Sequence, residues 1–162
     1  MREMQIRSAE ELHKLLSKAL QIESEYETAA EWEGYVAVTS PRYRELLFEL
    51  ISDSEKHANL VKEMLAMIVL PEEYKAPPLP TVSFDFRGRS ELDTLLELER
   101  YEQLMLDLYA AIKHAMLRSD LKQYVKEGSL ERMMEILDDL IEDETSHRDS
   151  IHFYVGRVKM IR

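Results

Sequence analysis

Apolar residues recur every three or four positions in four long runs of this chain, the spacing that turns one stripe of an α-helix toward a core. The first run carries Leu12, Leu16, Ala19, Glu23, Tyr26 and Ala30 on one face, and the second Tyr43, Leu47, Leu50, Ser54, His57, Val61, Met64 and Ile68. The third carries Leu92, Leu95, Glu99, Glu102, Leu106, Tyr109 and Met116. The fourth carries Met133, Leu137, Leu140, Glu144, His147, Ile151 and Tyr154. A strict register would also bring Lys113 onto the third stripe, so that stripe is less sharply defined in its last two turns. The pattern predicts helices over about 8–33, 41–69, 90–118 and 129–158.

Punctuation agrees with these boundaries. Ser8-Ala-Glu-Glu11 has the form of a capping box, and Ser40-Pro41 supplies a cap followed by proline at the first helical position. Gly88 and Ser90 open the third helix and Gly128-Ser129 the fourth. Between the second and third helices Pro71, Pro77, Pro78 and Pro80 exclude a helix interior, and Thr81–Phe86 alternates weakly like an extended segment. A connection this long inside a compact domain has a structural task. The expectation is a crossover from one end of a bundle to the other, giving a single all-α four-helix-bundle domain over residues 1–162.

Every stripe is apolar except at one height, where Glu23, then Ser54 and His57, then Glu99 and Glu102, then Glu144 and His147 interrupt it. Glu144-x-x-His147 alone is weak, because with 23 glutamates in 162 residues about one histidine in seven has a glutamate three positions before it. A polar cluster in a helix interface is the plain alternative. Acids at matching heights on the other helices shift the balance. Four converging carboxylates repel one another and are pushed toward protonation, and divalent cations resolve the conflict. Carboxylates with imidazole suit iron or manganese, with zinc a frequent substitute.

Composition narrows the classes further. The net charge of −11 argues against nucleic acid or an anionic membrane as partner and suits cations. The absence of cysteine excludes disulfides, zinc ribbons, cysteine-ligated iron–sulfur clusters and thiol catalysis. No apolar run approaches a membrane span and the N-terminus lacks a signal-peptide apolar core, so the expected location is cytoplasmic.

A weak internal repeat accompanies the acids. Asp53-Ser-Glu-Lys-His57 and Asp143-Glu-Thr-Ser-His147 lie 90 positions apart, and Leu20-Gln-Ile-Glu23 matches Leu96-Glu-Leu-Glu99 at 76. Two helix pairs, each giving a Glu and then Asp-x-x-x-His, describe a duplicated metal half-site. Asp53 and Asp143 are either acceptors that orient the ligand imidazoles or solvated neighbours of the inward face.

In these features the sequence resembles the ferritin-like superfamily, and within it the rubrerythrin-type di-iron domain, over nearly the whole chain. Glu99-Arg-Tyr-Glu102 looks like the third-helix Glu-x-x-Glu of rubrerythrins. The resemblance implies Glu23 and Glu99 as terminal ligands, Glu144 as bridging ligand, and His57, His147 and Glu102 as the remaining donors to two iron ions, with manganese or zinc as alternatives. It implies reduction of peroxide or O2 with oxidation of ferrous iron, in a peroxidase- or ferroxidase-like oxidoreductase. Two departures stand out. Without cysteines there is no rubredoxin domain, so an external electron donor is required. Ser54 also occupies the position of the second-helix glutamate, and Asp53 and Glu55 point roughly a hundred degrees away from it on an ideal helix. The competing functions are iron binding or storage without turnover, and a non-catalytic helical interaction module with a degenerate site.

Other polar and aromatic positions have plainer readings. Tyr26, Tyr101 and Tyr109 are expected to pack in the core rather than relay electrons. His13, His114 and His152 are expected at the surface or its boundary. The methionines, among them Met64, Met105, Met133 and Met134, read as core filling. A stripe of Leu98, Tyr101, Met105, Leu108 and Ile112 on the third helix is wider than one core needs, and suggests a homodimer surface.

Overall fold

The computed structural model describes residues 5–29, 41–78, 90–118 and 120–161, with side chains as far as Glu25 in the first segment and Arg157 in the last. Among the described residues four helices form: α1 (Ala9–Ala29), α2 (Pro41–Ala66), α3 (Glu91–Arg118) and α4 (Ser129–Ile161). A single 3₁₀ turn, Lys122–Tyr124, lies between α3 and α4. Among the described residues there is no strand beyond one isolated bridge, so the architecture is an all-helical four-helix bundle.

The helix starts follow from their caps. The Glu11 amide donates to Ser8 Oγ at 3.1 Å, while Glu11 Oε2 accepts from the Arg7 amide at 2.7 Å, one residue before the partner that an ideal capping box uses. Ser90 Oγ accepts from the Asp93 amide at 3.1 Å and starts α3. Gly128 precedes α4 at φ 78°, a backbone conformation that other residues adopt only at a cost.

The largest interfaces join α1 to α2 and α3 to α4, with smaller ones between α2 and α4 and between α1 and α3. Leu12, Leu16, Leu47, Leu50, Val61, Met64, Met133, Leu137, Leu140 and Ile151 are buried as their stripes require. One end of the bundle is tied by backbone. Ile68 and Val125 form an antiparallel bridge, with Val69 N donating to Tyr124 O and Lys126 N to Met67 O, each at 2.8 Å. Tyr124 adds a hydrogen bond from its hydroxyl to Arg7 O at 2.7 Å. The start of α1, the end of α2 and the link from α3 to α4 therefore meet at this end.

Beyond α2 the chain returns along α1, where Tyr74 sets its ring edge-on to His13 at 5.6 Å. The Thr81–Phe86 segment expected to be extended lies outside the described residues, as do the structure around Gly34 and the side chains of Tyr26 and Ala30.

Helix α3 departs from the expected stripe. Its buried face keeps Leu95, Glu102, Leu106, Tyr109 and Met116 of the expected stripe and adds Leu98, Tyr101, Met105 and Ile112, a face rotated far enough to leave Glu99 outside. The physical reason is charge. The expected register would bury Glu99 and Lys113 with Glu102, whereas the observed one buries Glu102 as its only charge and fills the other places with apolar side chains. Lys113 instead forms an ion pair with Asp138 of α4.

The stripe expected as a homodimer surface is mostly covered within the chain, with Leu108 half-buried. Leu98, Tyr101, Met105 and Ile112 are interior, and the large apolar side chains that α3 does expose are Leu96, Leu104 and Leu117. Among the described residues no helix is long and apolar enough to cross a membrane.

Candidate metal centre

Near the middle of the bundle the apolar stripes give way to polar side chains. Helix α1 contributes Glu23, α2 Ser54 and His57, α3 Glu102, and α4 Glu144 and His147, and all six are buried. Their ligand atoms form two overlapping sets, Glu23 with His57 and Glu144, and Glu102 with Glu144 and His147. Within each set the atoms lie within 4.8 Å of one another. Glu144 belongs to both, and the two imidazole rings stand 5.8 Å apart.

Each imidazole is held from behind by a carboxylate of the other helix. His57 Nε2 is 3.0 Å from Asp143 Oδ2, and His147 Nε2 is 2.7 Å from Asp53 Oδ2. The aspartates that the sequence left open are thus imidazole partners, and they are exchanged: the one on α4 serves the histidine of α2, and the reverse. Such acceptors turn each Nε2 outward and each Nδ1 toward the carboxylates. Asp143 Oδ2 also accepts from Lys56 Nζ at 3.2 Å.

The inward atoms are crowded but imperfectly paired. His57 Nδ1 lies 2.8 Å from Glu144 Oε1 and 3.5 Å from Glu23 Oε1, yet it is aligned with neither as a hydrogen bond. His147 Nδ1 lies 3.5 Å from Glu102 Oε2 and 3.9 Å from Glu144 Oε2. Glu144 Oε2, like His57 Nδ1, is buried without a hydrogen-bond partner. Tyr109 is fully buried and donates its hydroxyl to Glu23 Oε1 at 2.9 Å, so it both packs in the core and touches the site.

Electrostatics follow from this crowding. Burial, then the charges of Glu102 and Glu23, push Glu144 well above the usual carboxylate range. Burial and the Glu23 charge do the same to the Tyr109 phenol. Burial alone would lower both histidines, but their carboxylate partners outweigh it. His147 is raised to about 9 by Glu102 and Asp53, and His57 is raised by Glu23 and Asp143. Glu144 and both imidazoles therefore favour their protonated forms, which partly offsets the repulsion among the carboxylates.

Three buried carboxylates, two imidazoles presenting Nδ1, and two buried polar atoms without hydrogen bonds make a donor set that can hold a divalent metal ion. An ion there would take the place of the protons, satisfy His57 Nδ1 and Glu144 Oε2, and neutralise the carboxylates together. The residues fit the group.

Of the six ligands expected from the sequence, Glu23, His57, Glu102, Glu144 and His147 come together and Glu99 does not. Its Oε1 lies 2.8 Å from Nδ1 of the exposed His152, on the outside of α3 and α4. The same rotation that excludes Lys113 carries Glu99 out and leaves Glu102 as the carboxylate of α3. His114 is exposed and His13 half-buried against the connection, while Tyr101 is buried under the Arg100 guanidinium. Lys56 was missed. Its only sequence signal is its place directly before His57, a position held by Ser146 in the second half of the repeat.

Comparison of the chain with known protein families, with curated proteins and with solved structures gives no match.

Proposed function

We propose that this chain is a metal-binding redox protein of the rubrerythrin-type, ferritin-like class, holding two iron ions and reducing peroxide or O2. The observation that carries the reading is the pair of buried donor sets sharing Glu144, each with an imidazole oriented by an aspartate. In this reading Glu23 and His57 would hold one ion and Glu102 and His147 the other, with Glu144 available to both. Iron bound there supplies electrons to the oxidant.

The chain's own residues do the rest. Asp143 and Asp53 fix the imidazoles with Nδ1 inward, and Tyr109 steadies Glu23 by its hydroxyl. The apolar side chains above and below, among them Leu50, Val61, Leu106 and Leu140, limit water at the centre. In this reading electrons return from a separate carrier.

The fold supports the same class. Helix α2 ends beside the link that follows α3, which supports reading α2 and α3 as helices that run toward the same end, as the crossover topology of that class requires. We read the protein as cytoplasmic.

Anaerobic ferrous loading followed by desalting and elemental analysis tests the proposal. Two irons per chain, with a new visible absorbance and consumption of peroxide on mixing, is the expected result. Folded protein that retains no metal overturns it, and continued uptake of iron far beyond two per chain points to storage instead.

A further inference from the structure

Behind their imidazoles the two donor sets, which differ also in the Tyr109 hydroxyl on Glu23, are distinguished by one exposed charge. Asp53 Oδ2 has His147 Nε2 as its only donor among the described residues, at 2.7 Å. Asp143 Oδ2 divides its charge between His57 Nε2 at 3.0 Å and the Lys56 ammonium at 3.2 Å. A carboxylate behind a ligand imidazole makes the ring a stronger donor by drawing on its N–H, and a cation on that carboxylate weakens the pull. His57 is therefore the poorer donor of the pair.

The repeat gives the origin of the difference. Ser146 stands directly before His147 where Lys56 stands directly before His57, and both positions are exposed.

From this asymmetry, and resting on the metal reading above, we infer that Lys56 is a positioning residue that sets the order of loading. The ion between Glu102, Glu144 and His147 binds first and more tightly, and the ion between Glu23, His57 and Glu144 binds second. Lys56 touches no ligand atom of the centre and acts through Asp143 alone. Its side chain is 59% exposed, so solvent screens part of its charge. The effect on the weaker ion is therefore about threefold to tenfold, below the range seen when such an orienting partner is lost altogether.

Cobaltous ion, which needs no exclusion of air, is titrated into the full chain, and the two stepwise dissociation constants are read from its visible bands and from equilibrium dialysis. In Lys56→Ser the second step strengthens about threefold to tenfold and the first is unchanged. In Ser146→Lys, which puts an ammonium beside Asp53, the first step weakens by a similar factor and the second is unchanged. Lys56→Gln repeats the first result with a better helix former, and circular dichroism confirms the fold of each variant.

Equal shifts of both steps in either variant would mean that the charge acts on the whole centre rather than through Asp143, and would overturn the inference. So would strengthening of the first step in Lys56→Ser. Failure of the unaltered chain to bind cobaltous or ferrous ion would overturn the metal reading itself, whereas two steps indifferent to both substitutions would overturn only the role of Lys56.

Discussion

The segments Asp53–His57 and Asp143–His147 occupy equivalent places on α2 and α4, and each lends its aspartate to the other's histidine. They differ in two positions that matter. Where the second has Glu144 the first has Ser54, and where the first has Lys56 the second has Ser146. The same scaffold thus places one carboxylate in both donor sets, with unequal support for the two imidazoles. A buried site can lose a ligand and keep its shape because the helices around it are held by apolar packing that does not depend on it.

The comparison breaks most completely at the shared residue. Glu144→Gln should abolish retention of both ions, a loss of at least a hundredfold in affinity, because it removes the one carboxylate common to both donor sets. At pH high enough to ionise Glu144 the metal-free variant should melt higher than the unaltered protein, since a neutral amide then replaces a buried charge crowded by Glu102 and Glu23. Elemental analysis and thermal melts check the two halves of that expectation.

Glu102→Gln should cost one ion of the two, with roughly a hundredfold loss in that half alone. Dialysis that showed both ions lost together would remove the distinction between the halves. Restoring symmetry with Ser54→Glu should strengthen binding of the pair about tenfold, as a second shared carboxylate becomes available. It should also destabilise the metal-free protein by about 2–3 kcal/mol, because position 54 is buried and a fourth acid there is unpaired. Denaturant melts with and without metal separate the two effects.

Acidity sharpens the comparison in the metal-free state. His147 has a folded pKa of about 9, above its ordinary value of 6.5, so the stability it contributes is fully present below about pH 6.5 and lost as pH rises through 9. Glu144, also raised, acts in the same direction. Metal-free protein should therefore lose on the order of 1–3 kcal/mol between about pH 6.5 and 9. Metal affinity should rise over the same interval because binding displaces protons. Urea melts across this range, before and after loading, test the sign.

The smallest effect belongs to Glu99→Gln, which should change metal affinity by less than about threefold, since that carboxylate faces His152 at the surface. A loss as large as that of Glu102→Gln would return Glu99 to the centre.

Much of this molecule was legible in the order of its residues. Four helices, the caps at Ser8 and Ser90, the inward faces of α2 and α4 and that of α1 as far as Glu23, and the height at which Glu23, His57, Glu144 and His147 interrupt them were legible from local signals, chiefly the period of 3.6 residues. The expected cap at Ser40 lies outside the described residues. Helix α3 was legible only in part, because two registers three or four residues wide overlap on it. Both contain apolar residues at the right spacing, and Lys113 was the sole local sign that one of them was wrong.

The choice between the registers belongs to tertiary structure. Rotation of α3 is decided by how many charges its neighbours would have to bury, a sum over α1 and α4 that no window of sequence contains. The same holds for the exchange of aspartates and for Lys56. Residues 86 to 94 positions apart become partners only when α2 and α4 pack face to face, so the sequence determined which chemistry is present and the packing decided which groups share it.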